Sequence, residues 1–196
     1  DFVSPKGRID GVRLGVPVSI NIDNGIAAMA LAQLCGATDE ELRRGMESFG
    51  GVDRRFDFKL KNDKIVYLSD YAHHPNEIEK SVKSVRELYA DKRIAAIFQP
   101  HLYTRTRDFY REFADSLSLL DEVYLCDIYP AREEPIPGVS SQLIYDNLRD
   151  GISKHLISKN EIIENVENGT FDVLITLGAG DIENYAQQIV EVLKKR

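Results

Sequence analysis

The run Asp70-Tyr71-Ala72-His73-His74-Pro75, with its counterpart Phe98-Gln99-Pro100-His101-Leu102-Tyr103-Thr104-Arg105-Thr106-Arg107 further along, decides the fold. Each run follows a short apolar segment, Ile65-Val66-Tyr67-Leu68 or Ile94-Ala95-Ala96-Ile97, and each precedes a stretch with helical periodicity. Both runs therefore fall at the carboxyl ends of strands. In an open α/β sheet this is the edge where strand-to-helix loops converge and helix N-termini face ligands. Three of the four histidines, two arginines, two tyrosines and an aspartate gather on that rim, a set suited to holding something anionic.

Outward from these runs, strands and helices alternate. Two strands, 55–60 and 64–68, flank the hairpin turn Lys61-Asn62-Asp63. The pattern continues as helix 76–90, strand 93–98, helix 105–119, strand 122–126, helix 140–149, strand 154–157, helix 160–167, strand 171–176 and helix 181–195. Such alternation implies right-handed crossovers and a doubly wound, mostly parallel sheet. Upstream, 8–14 and 16–22 read as extended, and Ile26, Met29, Ala30, Gln33 and Leu34 recur at helical spacing up to Gly36. Thr38 with Glu41 forms a capping box for a second helix through Ser48. Gly50-Gly51 breaks the periodicity, which sets a boundary between 1–49 and 50–196.

The formal net charge of -7 excludes a phosphate-backbone partner, since nucleic-acid binding needs a basic face that releases counterions. No run of apolar residues is long enough to cross a membrane. The chain opens Asp1-Phe2-Val3-Ser4-Pro5 without a secretory leader, and reads as a cytoplasmic fragment. Cys35 and Cys126 have no near partner in sequence, and both are expected to be buried, reduced thiols.

Adjacent histidines point in different directions and no third ligand stands at a familiar spacing, so His73-His74 is not favoured as a metal site. A helix entry explains Pro75 and Glu77, with His73 capping or reaching a substrate from the loop. Arg105 and Arg107 stand at a helix start, where the macrodipole disfavours cations. A carboxylate or phosphate ligand held by guanidinium forks explains the pair. Arg54-Arg55-Phe56, just past the boundary, offers a cation to a nucleotide phosphate. Leu177-Gly178-Ala179-Gly180-Asp181 is a weak dinucleotide fingerprint but a good tight turn that lets backbone approach a ligand.

These segments together resemble the bacterial Mur ligases. The resemblance is carried by Gly51-Val52-Asp53-Arg54-Arg55-Phe56, Asp70-Tyr71-Ala72-His73-His74-Pro75-Asn76-Glu77-Ile78, Phe98-Gln99-Pro100-His101 with Tyr103-Thr104-Arg105-Thr106, and Leu177-Gly178-Ala179-Gly180-Asp181-Ile182. It implies that 1–49 is the tail of a central ATP-binding domain and 50–196 a C-terminal Rossmann-like domain that brings the amino acid. It also implies an ATP- and Mg2+-dependent, cytoplasmic bacterial ligase of peptidoglycan synthesis, with the rest of the same polypeptide as partner. There L-alanine would join UDP-N-acetylmuramate through an acyl phosphate. The branch that attaches a recycled murein tripeptide shares Ala72-His73-His74-Pro75 but differs at Phe98-Gln99-Pro100-His101, which favours the alanine-adding branch. A non-catalytic small-anion-binding module is the rival class.

On this resemblance Asn21 and Asn24 correspond to an adenine-contacting pair, although the family's preceding glycine and histidine are replaced by Val18 and Ile20. Arg55 corresponds to a nucleotide-phosphate contact, and Asp70 with Tyr71 to the ribose side; Ser69 stands where the family usually has a second acid. His73 and Arg105 take the catalytic places. Arg107, Gly180 and Asp181 join them in holding the amino acid, and no metal ligand is assigned.

The sequence contains no Gly-x-x-x-x-Gly-Lys-[Ser/Thr] phosphate cradle. A protein made of residues 1–196 alone is therefore expected to release no ADP when given ATP, UDP-N-acetylmuramate and alanine. A coupled ADP assay checks this, and substrate-dependent turnover would refute it.

Overall fold

The computed structural model describes residues 1–16 and 18–196. Pro17 and the side chains of Ser19 and Ile20 lie outside the described residues; the extended reading of 16–22 and the adenine comparison at Ile20 fall partly there. The chain divides into two compact units, Asp1–Val52 and Asp53–Arg196.

The first unit begins with the antiparallel pair β1 (Phe2–Ser4) and β2 (Gly7–Ile9), followed by α1 (Ser19–Leu34) and α2 (Asp39–Ser48). The extended segments expected at 8–14 and 16–22 are thus corrected. Strand pairing lies earlier, across Phe2 and Ile9, because a turn at Pro5-Lys6 folds the chain back there. Helix α1 starts at Ser19, well before Asn24. The capping box forms as read: Glu41 N–H donates to Thr38 Oγ1 at 3.3 Å, and Thr38 N–H to Glu41 Oε2 at 2.8 Å. Phe2, Ile9, Met29 and Leu42 make a small core. Of the apolar positions read on α1, Met29 is buried while Ile26 and Leu34 are exposed. Cys35, expected inside, is exposed; Cys126 is buried.

The second unit is a six-stranded sheet. Its strands are β3 (Asp57–Lys61), β4 (Val66–Asp70), β5 (Ile94–Phe98), β6 (Glu122–Cys126), β7 (Ser153–Ile157) and β8 (Val173–Leu177). The order is β3-β4-β8-β5-β6-β7, with only β3 antiparallel. Its helices are α3 (Pro75–Leu88), α4 (Tyr103–Leu117), α5 (Gln142–Asn147), α6 (Ile162–Asn168) and α7 (Ala186–Leu193). This is the doubly wound, mostly parallel architecture read from the alternation. The apolar run of β5 and the mostly apolar β4 and β8 match burial on both faces: every residue of these strands is buried.

On one face Tyr67, Ala95, Ile97 and Leu174 pack with Ile162 and Val166 of α6 and Ile189 and Val190 of α7. On the other, Phe113 of α4 lays its ring 5.3 Å from that of Phe98. No helix of the described residues is long and apolar enough to cross a membrane.

Phe113 is fully buried, so Phe113→Ala is expected to lower stability by about 3–5 kcal/mol, measured by denaturant unfolding. Amides of α1 and α2, over a core of four side chains, are expected to exchange faster than those of β5 and β8. Equal protection in hydrogen exchange would show one cooperative unit instead.

Candidate functional site

Asp70, Leu177 and Phe98 end β4, β8 and β5 in one register, so three loops leave the sheet side by side. The loop after β5 turns to α4 on one face, and the loop after β8 to α7 on the other. Their divergence opens the crevice at which such sheets bind ligands. Gln99 fills its floor. Its backbone N–H donates to Leu177 O at 3.0 Å, its Nε2 to Asp181 Oδ1 at 2.7 Å, and its Oε1 accepts from Ile182 N–H at 3.1 Å. A Cβ at Gly178 (φ +141) would stand 2.7 Å from Gln99 O, and one at Gly180 would strike the Gln99 side chain and lie 2.8 Å from Tyr129 Cγ. The glycines of this turn are thus required by close approach.

On the β4 side, His74 and not His73 is the N-cap of α3, with Pro75 at the first helical position. That corrects the capping role read for His73. Glu77 Oε2 accepts the backbone N–H groups of His73 at 3.0 Å and His74 at 3.1 Å. Burial alone would push the Glu77 carboxyl up, but these donors and the two imidazoles hold it below its ordinary value.

Freed from capping, His73 turns its Nδ1 to Tyr71 O at 2.9 Å. A carbonyl only accepts, so Nδ1 carries the proton and Nε2 of the neutral ring is left as an acceptor. The Tyr71 ring stands edge-on to His73 with centroids 5.2 Å apart, and the Arg54 guanidinium carbon lies 4.6 Å over the Tyr71 ring.

On the β5 side, His101 lies 5.9 Å from His73 between ring centroids and stacks on Tyr129 at 5.6 Å. Arg105 Nη1 donates to His101 Nδ1 at 3.3 Å. The guanidinium only donates, so His101 keeps its proton on Nε2. Burial, then the Arg105 guanidinium and the neighbouring His73, push the His101 imidazole below its ordinary value. The rim thus offers one imidazole as acceptor and its neighbour as donor, with a guanidinium beside them.

The structure brings His73, Tyr71 and Arg105 together through His101, and places the other expected residues differently. Arg107 is turned to its neighbour: Nε meets Asp108 Oδ1 at 2.7 Å and Nη2 meets Oδ2 at 3.1 Å, so its fork is already filled. The Asp70 carboxylate points inward, one oxygen accepting from Ser81 Oγ and the other from Ala72 N–H at 3.2 Å, and burial raises its pKa.

Asp181 is bound by Lys159 Nζ at 2.5 Å as well as by Gln99. Arg55 sits exposed in the turn before β3, where the expected strand start fails because Arg54 (φ +61) and Phe56 (φ +48) adopt left-handed backbone. In the first unit, Asn21 Nδ2 donates to Val16 O at 3.2 Å, and Asn24 is exposed on α1.

Three residues at this edge escaped the sequence reading: Tyr129, Glu133 and Lys159. Glu133 accepts from Thr104 N–H at 3.0 Å and Thr104 Oγ1 at 2.5 Å. Tyr129 and Glu133 belong to the connection 127–141 between β6 and α5, whose length was itself a signal, since long loops in compact domains usually serve a site. Lys159 follows the end of β7 on the same sheet edge, a position the strand pattern alone could have flagged.

Comparison with known proteins matches residues 54–182 to the family model described as "Mur ligase, glutamate ligase domain". The chain is 67% identical over 196 residues to a Phocaeicola vulgatus protein named UDP-N-acetylmuramate--L-alanine ligase, covering 100% of this chain and 43% of that one. A Porphyromonas gingivalis protein of the same name is 52% identical over 191 residues, 97% of this chain and 42% of its own length. Among solved structures, the UDP-N-acetylmuramate-alanine ligase of Thermotoga maritima superimposes with a TM-score of 0.74 at 28% identity, over 93% of this chain and 39% of that one. The chain therefore spans less than half the length of the relatives it matches. With the matched domain reaching from Arg54 to Ile182 and containing the whole rim, the chain belongs to the Mur ligase family.

Proposed function

We propose that this chain is the C-terminal part of a cytoplasmic bacterial ligase that uses ATP to join L-alanine to UDP-N-acetylmuramate through an acyl phosphate in peptidoglycan synthesis. Residues 1–49 would be the tail of its central ATP-binding domain and 50–196 the domain that presents the amino acid. The observation that carries the reading is the pairing of His73 and His101 in opposite tautomers beside Arg105. An amino acid arrives as a carboxylate and an ammonium, and must lose a proton before its nitrogen can attack. Arg105 suits the carboxylate, a planar donor fork against a planar acceptor. His73 Nε2 suits a proton from the amine, with the Tyr71 carbonyl stabilising the imidazolium through Nδ1. His101 Nε2–H adds a donor toward negative charge that develops at the reacting carbon.

The residues assigned to ATP fit unequally. Arg55 is exposed, and Asn24 is open to an adenine edge. Asn21 has its Nδ2 held by Val16 O. Asp70, buried and already accepting from Ser81 and Ala72, offers a ribose little exposed carboxylate, and Tyr71 stands nearer the surface. ATP with Mg2+ supplies the phosphoryl group that activates the muramate carboxylate. This chain's share of the work lies with the amine and the carboxylate of alanine, as the His73, His101 and Arg105 geometry supports. Asp181, held by Lys159 and Gln99, would fix the Gly178–Gly180 turn against the bound amino acid in place of gripping its amine directly.

In the full-length ligase, Arg105→Ala is expected to lower kcat/KM for alanine by roughly 10²-fold or more, the cost of losing a charged partner to a carboxylate. Its melting temperature should stay nearly unchanged, because Arg105 is only half-buried. Lysine should restore activity only in part, since a point charge does not reproduce the fork. Near-normal alanine kinetics in Arg105→Ala would overturn the assignment. If the unmodified full-length protein accepted a murein tripeptide and not alanine, the branch of the family would be wrong while the site stood.

A further inference from the structure

We propose that Glu133 is a positioning residue of the amino-acid site, acting through the first turn of α4 to hold Arg105 in place. The proposal rests on reading the rim as that site. Helix α4 begins abruptly: its N-cap, Leu102, has positive φ (+75) and no side chain able to accept a hydrogen bond from the orphan N–H groups. Arg105 in that first turn adds a cation where the macrodipole is already positive. The helix should fray there unless an acceptor is brought from elsewhere in the chain. The strap 127–141 brings one.

The strap is fastened to the loop after β5 at two points. Tyr129 N–H donates to Pro100 O at 2.8 Å, and Leu102 N–H donates to Tyr129 O at 2.9 Å. From that anchor Glu133 reaches back and takes both the N–H and the hydroxyl of Thr104, the residue before Arg105. These hydrogen bonds hold its carboxyl below its ordinary value, and Arg105 adds to the effect. The carboxylate therefore caps the helix and offsets the charge of Arg105 without occupying its fork, which is left to His101 and a ligand. The penalty that Arg105 incurs at a helix start is offset inside the protein, and no ligand is needed to offset it.

The test uses the full-length polypeptide. Glu133→Gln keeps an acceptor and removes the charge, while Thr104→Val removes the hydroxyl and keeps the N–H. Glu133→Gln is expected to raise KM for alanine roughly tenfold while kcat changes less than about threefold, as befits loss of ground-state placement. Combined with Thr104→Val, the effects should be less than additive, because both act through one contact.

A second readout needs no turnover. His101 is faced by Arg105 from α4, by His73 from the loop after β4, and by Tyr129 and Glu133 from the strap. Since Glu133 raises the His101 pKa, Glu133→Gln should make His101 titrate at lower pH in histidine-labelled NMR spectra. Unchanged alanine KM together with unchanged His101 titration would overturn the proposal, as would full additivity of the two substitutions. If the unmodified protein fails to use alanine while His101 still shifts, the strap's action on the rim stands and the substrate assignment falls.

Discussion

The level register of Asp70, Leu177 and Phe98 across three parallel strands is the constraint from which the site follows. Because β8 is the last strand in sequence but lies between β4 and β5, its loop emerges in the middle of the rim. That loop has to clear the chain beside it, and Gly178 and Gly180 are the consequence: any Cβ there meets Gln99. Gln99 then hydrogen-bonds across the gap to Asp181 and Ile182. A change of one residue in the register of β8 would move both glycines away from Gln99 and close the crevice with side chains.

On this frame an acidic protein builds an edge that offers one guanidinium and two imidazoles to an anion. The net charge of -7 says nothing against an anion site, because the carboxylates near the rim are occupied. Glu77 is held by the backbone ahead of α3, Glu133 by Thr104, Asp181 by Lys159 and Gln99, and Asp108 by Arg107. Glu77 and Glu133 are fixed by N–H groups at helix starts that would otherwise be orphaned. They lower the local cost of gathering Arg105, His73 and His101 without filling the positions a ligand needs.

What could be read from the sequence was what the chain encodes locally. Strand-helix alternation is a periodic signal, and the sheet and its layers followed from it. The Thr38–Glu41 capping box is a four-residue pattern and formed as written. The arrangements that the sequence did not foretell share a different cause. Arg107 pairs with Asp108 and Asp70 turns to Ser81, outcomes set by side-chain packing that no spacing rule contains. Glu133 and Thr104 are far apart in sequence and meet only because β6 lies beside β5. In the first unit a short apolar alternation was read as strand where α1 forms, a weak period losing to helix propagation.

The two histidines show how much of the chemistry depends on neighbours rather than on residue type. His73 and His101 leave equivalent places after β4 and β5, yet one gives its Nδ1 proton to a carbonyl and the other receives a guanidinium proton at the same atom. Burial disfavours a charged His101, and protonating it would also set a donor against a donor at Arg105, so its folded-state affinity for a proton lies below that of the unfolded chain. The unfolded state then binds more protons as pH falls through the ordinary histidine range, and the rim costs stability there. Above that range His101 is neutral and the cost is absent. The arrangement that depresses His101 also keeps His73 beside a neutral ring, with Nε2 available to accept a proton, so the surroundings that cost stability at low pH leave the rim reactive above it.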